Sequence, residues 1–127
     1  MIARLIPGTQ IEPTFRQAMA EFRYDPADPL AVQVATLYGG GDEVVWVFSR
    51  DLLDQGLRGH AGLGDVRLWP SQGQLVMVLE SPAGRAVFLY RHDQVRRFLL
   101  ATARVDPLGG ERVDLDGLVD ELLGGAA

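Results

Sequence analysis

His60 and His92 are the only imidazoles in the chain, and they stand in separate segments without the spacing of a metal-ligand pair. His60 lies in the glycine-punctuated run Gly59–Gly64, and Asp65 nearby could orient it as a general base. No nucleophile answers it. Gly-x-Ser-x-Gly is absent, and Ser49, Ser71 and Ser81 have cap or turn explanations. Asp25 and Asp28 are a carboxylate pair that a divalent cation could take, but Asx-turn hydrogen bonding beside Pro26 and Pro29 explains them more simply. The spacing of Gly59, Gly62 and Gly64 superficially resembles a phosphate loop. A helix is expected before it and a strand after it, the reverse of the dinucleotide context. These readings point away from an enzyme.

Composition closes further routes. With no cysteine, disulfides, thiol catalysis and cysteine-ligated zinc or iron–sulfur sites are excluded, which fits a reducing cytosol. Every basic residue is arginine, so neither a Schiff-base lysine nor a Walker lysine exists. The net charge of −5 argues against a general nucleic-acid binder. The longest apolar runs are about five residues against the ~20 needed to span a bilayer, and the apolar stretch in Met1–Gly8 is too short for a secretory signal. The expectation is one soluble, intracellular domain over residues 1–127, without cofactor or metal.

The elements that must position any site follow from periodicity. Phe15–Phe22 reads as a strand running into Tyr24, and Asp25–Pro29 as a turn. Leu30–Tyr38 alternates as a half-buried strand, and Gly39–Asp42 makes a loose hairpin connection. Val44–Phe48 is apolar on both faces, which predicts a central strand. Ser49 as N-cap, Asp51 in the first turn and Gly56 as terminator predict a helix over Arg50–Gln55. In Asp65–Pro70, alternation sends Val66 and Leu68 inward and leaves Arg67 and Trp69 on the opposite face. Leu75–Leu79 is a buried strand, Ser81–Gly84 a type I turn, and Ala86–Tyr90 its hairpin partner.

Val95, Phe98 and Leu99 begin a helical stripe that weakens at Thr102; after the loop Asp106–Gly110, Leu115, Leu118, Val119 and Leu122 form a second one, from Asp114 to Gly124. The order predicts an α+β fold: an antiparallel curved sheet, a short mid-chain helix and two C-terminal helices.

Two surfaces stand out. Trp69 beside Arg67 is either an interface or a second packed layer covered by a helix. Residues 85–105 carry Arg85, Arg91, Arg96, Arg97 and Arg104 against Asp93, whereas residues 106–127 carry six acids against Arg112. These are either solvated helix faces that attract each other or a surface for a partner or nucleic acid.

Three ordered blocks resemble the SsgA-like proteins of actinomycetes. Arg23, Tyr24, Asp25, Asp28 and Pro29 stand in a stretch similar to R-Y-D-x-x-D-P-Y-A-V, departing at Leu30. Trp46, Phe48, Arg50 and Asp51 stand in one similar to W-V-F-A-R-D-L-L-x-x-G-L. Gly64, Asp65, Arg67, Trp69 and Pro70 match G-x-G-D-V-R-V-W-P-S. The resemblance covers about residues 22–125. It departs at the N-terminus, where Pro7-Gly8 and Pro13 interrupt the family's long opening strand. The resemblance implies a Whirly-like fold, a homotrimer, and a cytoplasmic, non-enzymatic organiser at the division septum that binds FtsZ or septal wall proteins. It supplies no catalytic residues, and it makes a single-stranded nucleic-acid module the lesser alternative.

Overall fold

A computed structural model describes residues 1–38 and 41–107. The elements run β1 (Ile2–Glu12), β2 (Arg16–Tyr24), β3 (Ala31–Leu37), β4 (Glu43–Ser49), α1 (Arg50–Arg58), β5 (Val66–Ser71), β6 (Gln74–Ser81), β7 (Gly84–Arg91) and α2 (His92–Val105). All strands join one antiparallel sheet in the order β4-β3-β2-β1-β7-β6-β5. It is two meanders, β1–β4 and β5–β7, closed by the pairing of β1 with β7. The antiparallel α+β expectation holds; the helix expected from Asp114 lies outside the described residues.

The opening strand is continuous through Pro7-Gly8, unlike the interrupted segment that the sequence suggested, and only Pro13 falls in a turn. At Pro7 the strand has β2 on one side, and β7 joins only from Gly8, so a residue without an N–H sits where the ladder is one-sided. Gly8 is required by packing. A Cβ there would lie 2.5 Å from the Tyr90 ring and 2.7 Å from the Leu89 carbonyl oxygen.

Alternation divides the sheet into two faces. Ile6, Phe22, Val34, Leu68, Met77 and Phe88 point to one side, where α1 contributes Leu53 and Leu57 and α2 contributes Val95, Phe98 and Leu99. Phe22 meets Tyr90 edge-on at 5.2 Å and Phe98 at 5.6 Å between ring centroids. Burial pushes the Tyr90 phenol well above its ordinary value. A raised native pKa adds stability below about pH 10, where the unfolded phenol is also protonated, and that stability is lost as pH climbs toward the folded value. Urea midpoints should therefore fall above about pH 10, and Tyr90→Phe should flatten that alkaline limb; an equally steep fall in Tyr90→Phe would assign it to other groups.

Two expectations are corrected. Val44–Phe48 is not central: β4 is an edge of the sheet, with Val44, Val45 and Val47 exposed by 47%, 41% and 58%. Apolar residues on both faces say that a strand avoids water, and cannot say whether this chain supplies the cover.

The mid-chain helix does not stop at Gly56. Ser49 caps it as expected, its Oγ accepting from the Leu52 amide at 3.1 Å, but the helix continues to Arg58 and Gly59 closes it with an amide donated to Gln55 O. Gly56 is present because α1 lies on β5: a Cβ would sit 2.5 Å from the Leu68 Cβ. Gly56→Ala should gain under about 1 kcal/mol of helix propensity and lose about 1–3 kcal/mol to overpacking. A net fall in melting temperature is expected, and a rise would show that α1 can lift off β5 freely.

Candidate functional site

The face opposite the core carries no helix of the described residues. Its residues on β5–β7 fall in two rows across the strands: Trp69 opposite Val76 opposite Leu89, and Arg67 opposite Val78 opposite Val87. Trp69 and Leu89, both half-buried, pack on Val76, Val78 and Val87. Arg67 is anchored to Glu80 at 3.2 Å. Because α1 and α2 both lie on the core side, no helix among the described residues covers Trp69. Among the described residues the Trp69 face therefore carries no helical layer.

The same face carries a second apolar region across β1–β4, with Leu5, Met19, Val45 and Val47 exposed. Between its apolar residues, Arg23 bridges Glu21 at 2.6 Å and Glu43 at 2.8 Å. Hydrogen bonds donated to Glu43 and then to Glu21 hold the Arg23 guanidinium still more firmly protonated.

His60 lies on this surface. Its ring stacks flat on Trp69, centroids 5.3 Å apart and planes at 8°. Among the described residues it makes no hydrogen bond to Asp65, whose carbonyl accepts from the Glu80 amide. His92 instead ties the helices together, its Nε2 lying 2.7 Å from Leu57 O. Asp25 forms the expected turn, Oδ1 accepting from the Ala27 amide, and the Asp28 amide donates to Asp25 O. Among the described residues no group of three or more His, Cys, Asp or Glu is placed to hold a metal ion.

The first two motif blocks meet at Arg50. Its side chain is fully buried, its guanidinium 5.0 Å from the Tyr24 ring centroid. Nη1 donates to Asp106 O at 2.7 Å and to Thr102 O at 3.3 Å, Nη2 lies 3.8 Å from the Asp106 carboxylate, and the Tyr24 hydroxyl reaches that carboxylate at 3.5 Å. The clamp joins the start of α1 to the end of α2. Sequence reading passed over this role. The available signal was a cation at the N-terminus of a helix, where the helix dipole opposes it.

The other motif residues have structural tasks. Phe48 is buried and Trp46 packs on the core. Asp51 accepts from Gln55 Nε2 at 2.9 Å. Gly64 has φ of 84°, and Pro70 pairs opposite Leu75 on the edge strand β5.

The five arginines do not converge. Arg85 and Arg91 lie at the two ends of β7, bound to Glu12 at 3.3 Å and Asp93 at 3.6 Å. Arg96, Arg97 and Arg104 ride on α2, across the sheet from Trp69. No helix of the described residues is long and apolar enough to cross a membrane.

Comparison with known proteins gives one consistent result. The family model described as Streptomyces sporulation and cell division protein, SsgA, matches residues 18–111. The sporulation-specific cell division protein SsgB of Frankia casuarinae is 42% identical over 112 residues, spanning 84% of this chain and 78% of that protein. SsgB of Streptomyces coelicolor is 43% identical over 111 residues, spanning 82% and 80%. A structure described by the words "Mutations in SsgB correlate to longitudinal cell division during sporulation of Streptomyces coelicolor" superposes with TM-score 0.82 at 33% identity, covering 87% of this chain and 92% of that one. The SsgA-like sporulation-specific cell division protein of Thermobifida fusca superposes with TM-score 0.79 at 31% identity, covering 94% and 93%.

Proposed function

Since the chain belongs to the SsgA family of sporulation and cell division proteins, we propose that it acts in cell division as a non-enzymatic organiser of the septum, working through protein–protein contacts on the sheet face that carries Trp69. The proposed partner is FtsZ or a septal wall protein, met in the cytoplasm at the division site. The curled sheet is proposed to be of the Whirly-like kind and to assemble as a homotrimer. The observation that carries the reading is the Trp69 face, where an aromatic, an arginine and an imidazole stand over a valine floor with no helix of the described residues above them. Such anchors are enriched at binding hot spots. The valine edge of β4 offers a second copy an unpaired strand. A ring of copies would convert weak contacts with a polymer into firm attachment.

Co-sedimentation with FtsZ polymers is the direct test, with a single-stranded oligonucleotide as the competing ligand. The protein is expected to pellet with the polymer and to bind the oligonucleotide weakly, with an affinity that fades as salt rises. Tight oligonucleotide binding at physiological salt without polymer binding would reverse the assignment. Light scattering should return about three times 13.9 kDa, and a monodisperse species of one chain mass would end the trimer proposal.

A further inference from the structure

β1 outruns one of its neighbours. It pairs with β2 from Ile2 to Gln10, but β7 joins it only at Gly8, and after Arg91 the chain turns into α2. Along residues 2–7 the side turned away from β2 therefore has no strand on it among the described residues. Alternate residues of an antiparallel strand point their N–H and C=O groups to that side. The outer edge of β5 is protected: Pro70 removes a donor there, and Ala61 exchanges both backbone bonds with Leu68, at 2.8 and 2.9 Å. Within the gap on β1 only Pro7, at its inner end, lacks an N–H.

The gap is shaped as a cleft. A cavity of about 180 Å³ lies between β1 and α2, walled by Arg4, Leu5, Ile6, Gln94, Arg97 and Phe98. Ile6 is buried in the core, whereas Leu5, on the other face, is 60% exposed. The cavity therefore opens at the edge of the strand and not on either face alone.

Its charge has one sign. Arg4 has no carboxylate within ion-pair distance among the described residues, and its hydrogen bond goes to the adjacent Ala3 carbonyl at 3.0 Å. Arg91, the last residue of β7, and Arg97 share a single carboxylate, Asp93, at 3.6 Å each. Three guanidiniums against one carboxylate leave the border of the cleft at +2. Glu21, opposite Leu5 on β2, is already held by Arg23.

We propose that this cleft takes an extended segment of a partner protein in which acidic and apolar residues alternate, added to β1 as a short strand in line with β7. Main-chain bonds along β1 supply affinity, and the alternate side chains supply specificity. Carboxylates on the α2 side meet Arg4 and Arg97, and apolar side chains on the other side meet Leu5. Opposite charges across neighbouring strands stabilise and like charges destabilise, so a basic segment is rejected. None of these residues belongs to the Trp69 face, and the proposal stands or falls separately from it.

The probe is a blocked synthetic peptide of roughly eight residues, glutamate alternating with valine, which spans residues 2–7 at about 3.3 Å per residue. A second peptide carries lysine at every glutamate position. Each is titrated into isotope-labelled protein while the backbone amide shifts are followed by NMR. The expected result is a saturating shift at residues 3–6 and at the start of α2, with the acidic peptide binding roughly tenfold more tightly than the basic one. Arg4→Glu with Arg97→Glu, both at exposed positions, should reverse that preference. The comparison of the two peptides on the unaltered protein needs no variant to fold. No shift at all, equal affinity for the two peptides, or shifts confined to the Trp69 face or the β4 edge would each overturn the proposal. So would the same amides shifting with sodium acetate alone (an ion site without a strand), or on concentrating the protein without peptide (a second copy in the cleft).

Discussion

Replacing Arg50 by alanine is expected to lower the unfolding free energy by about 3–5 kcal/mol, the range seen when one member of a buried ionic network is removed. The argument rests on what is left behind. The side chain is completely buried, so its loss opens a cavity beneath Tyr24, whose ring it faces. The carbonyl oxygens of Thr102 and Asp106 lose a charged donor at the end of α2, where helix carbonyls have no intrahelical partner. Asp106 remains beside the site, part-buried and without its cation. Against a total stability of about 5–15 kcal/mol, such a loss leaves the domain marginal.

Arg50→Lys should recover only part of it, because an ammonium cannot lie flat against Tyr24 and reach both carbonyls from one planar fork. Urea denaturation measures all three proteins. A loss below about 1 kcal/mol in Arg50→Ala would mean that water replaces the guanidinium adequately, and the clamp would be incidental to stability.

This clamp also marks the limit of sequence reading. Alternation located β3 and β5, and the apolar runs on either side of the Ser81–Gly84 turn located β6 and β7, because each signal is recorded within the strand's own residues. It placed Leu68 inward and Trp69 outward for the same reason. It failed where the deciding neighbour is remote in sequence. Val44–Phe48 looked central because nothing local says which strand comes next to it. Gly56 looked like a helix terminator because its reason is Leu68, on a later strand. Pro7-Gly8 looked like a break, yet Gly8 accommodates Tyr90 from the last strand of the sheet. Arg50 was legible as part of a motif, and its burial was not, since the partners arrive with the end of α2. Half of the candidate site was therefore readable: the residues on the face, but not that α1 and α2 both lie on the other side of the sheet.

The two tryptophans turn that distinction into a measurement. Trp46 and Trp69 are both half-buried, but Trp46 packs on the core side and Trp69 on the opposite side of the sheet. Trp69→Ala removes a half-buried ring that packs on a few valines and on His60, so its stability cost should fall below the ~3–5 kcal/mol of a core tryptophan truncation. If that face is where copies or partners meet, the same substitution removes a hot-spot anchor worth about 2 kcal/mol or more in binding, roughly thirtyfold in Kd. Trp46→Ala should do the reverse, lowering the melting temperature more while leaving a correctly folded fraction that binds normally. Arg67→Ala should follow Trp69→Ala more weakly, since Glu80 shares its charge and rim ion pairs contribute mainly to association rate. Melting curves, light scattering and FtsZ co-sedimentation on the three variants separate the two patterns. If Trp69→Ala loses stability and binding in the same proportion as Trp46→Ala, the outer face is only a solvent-facing skin over the sheet, and the docking surface must be sought on the β4 edge instead.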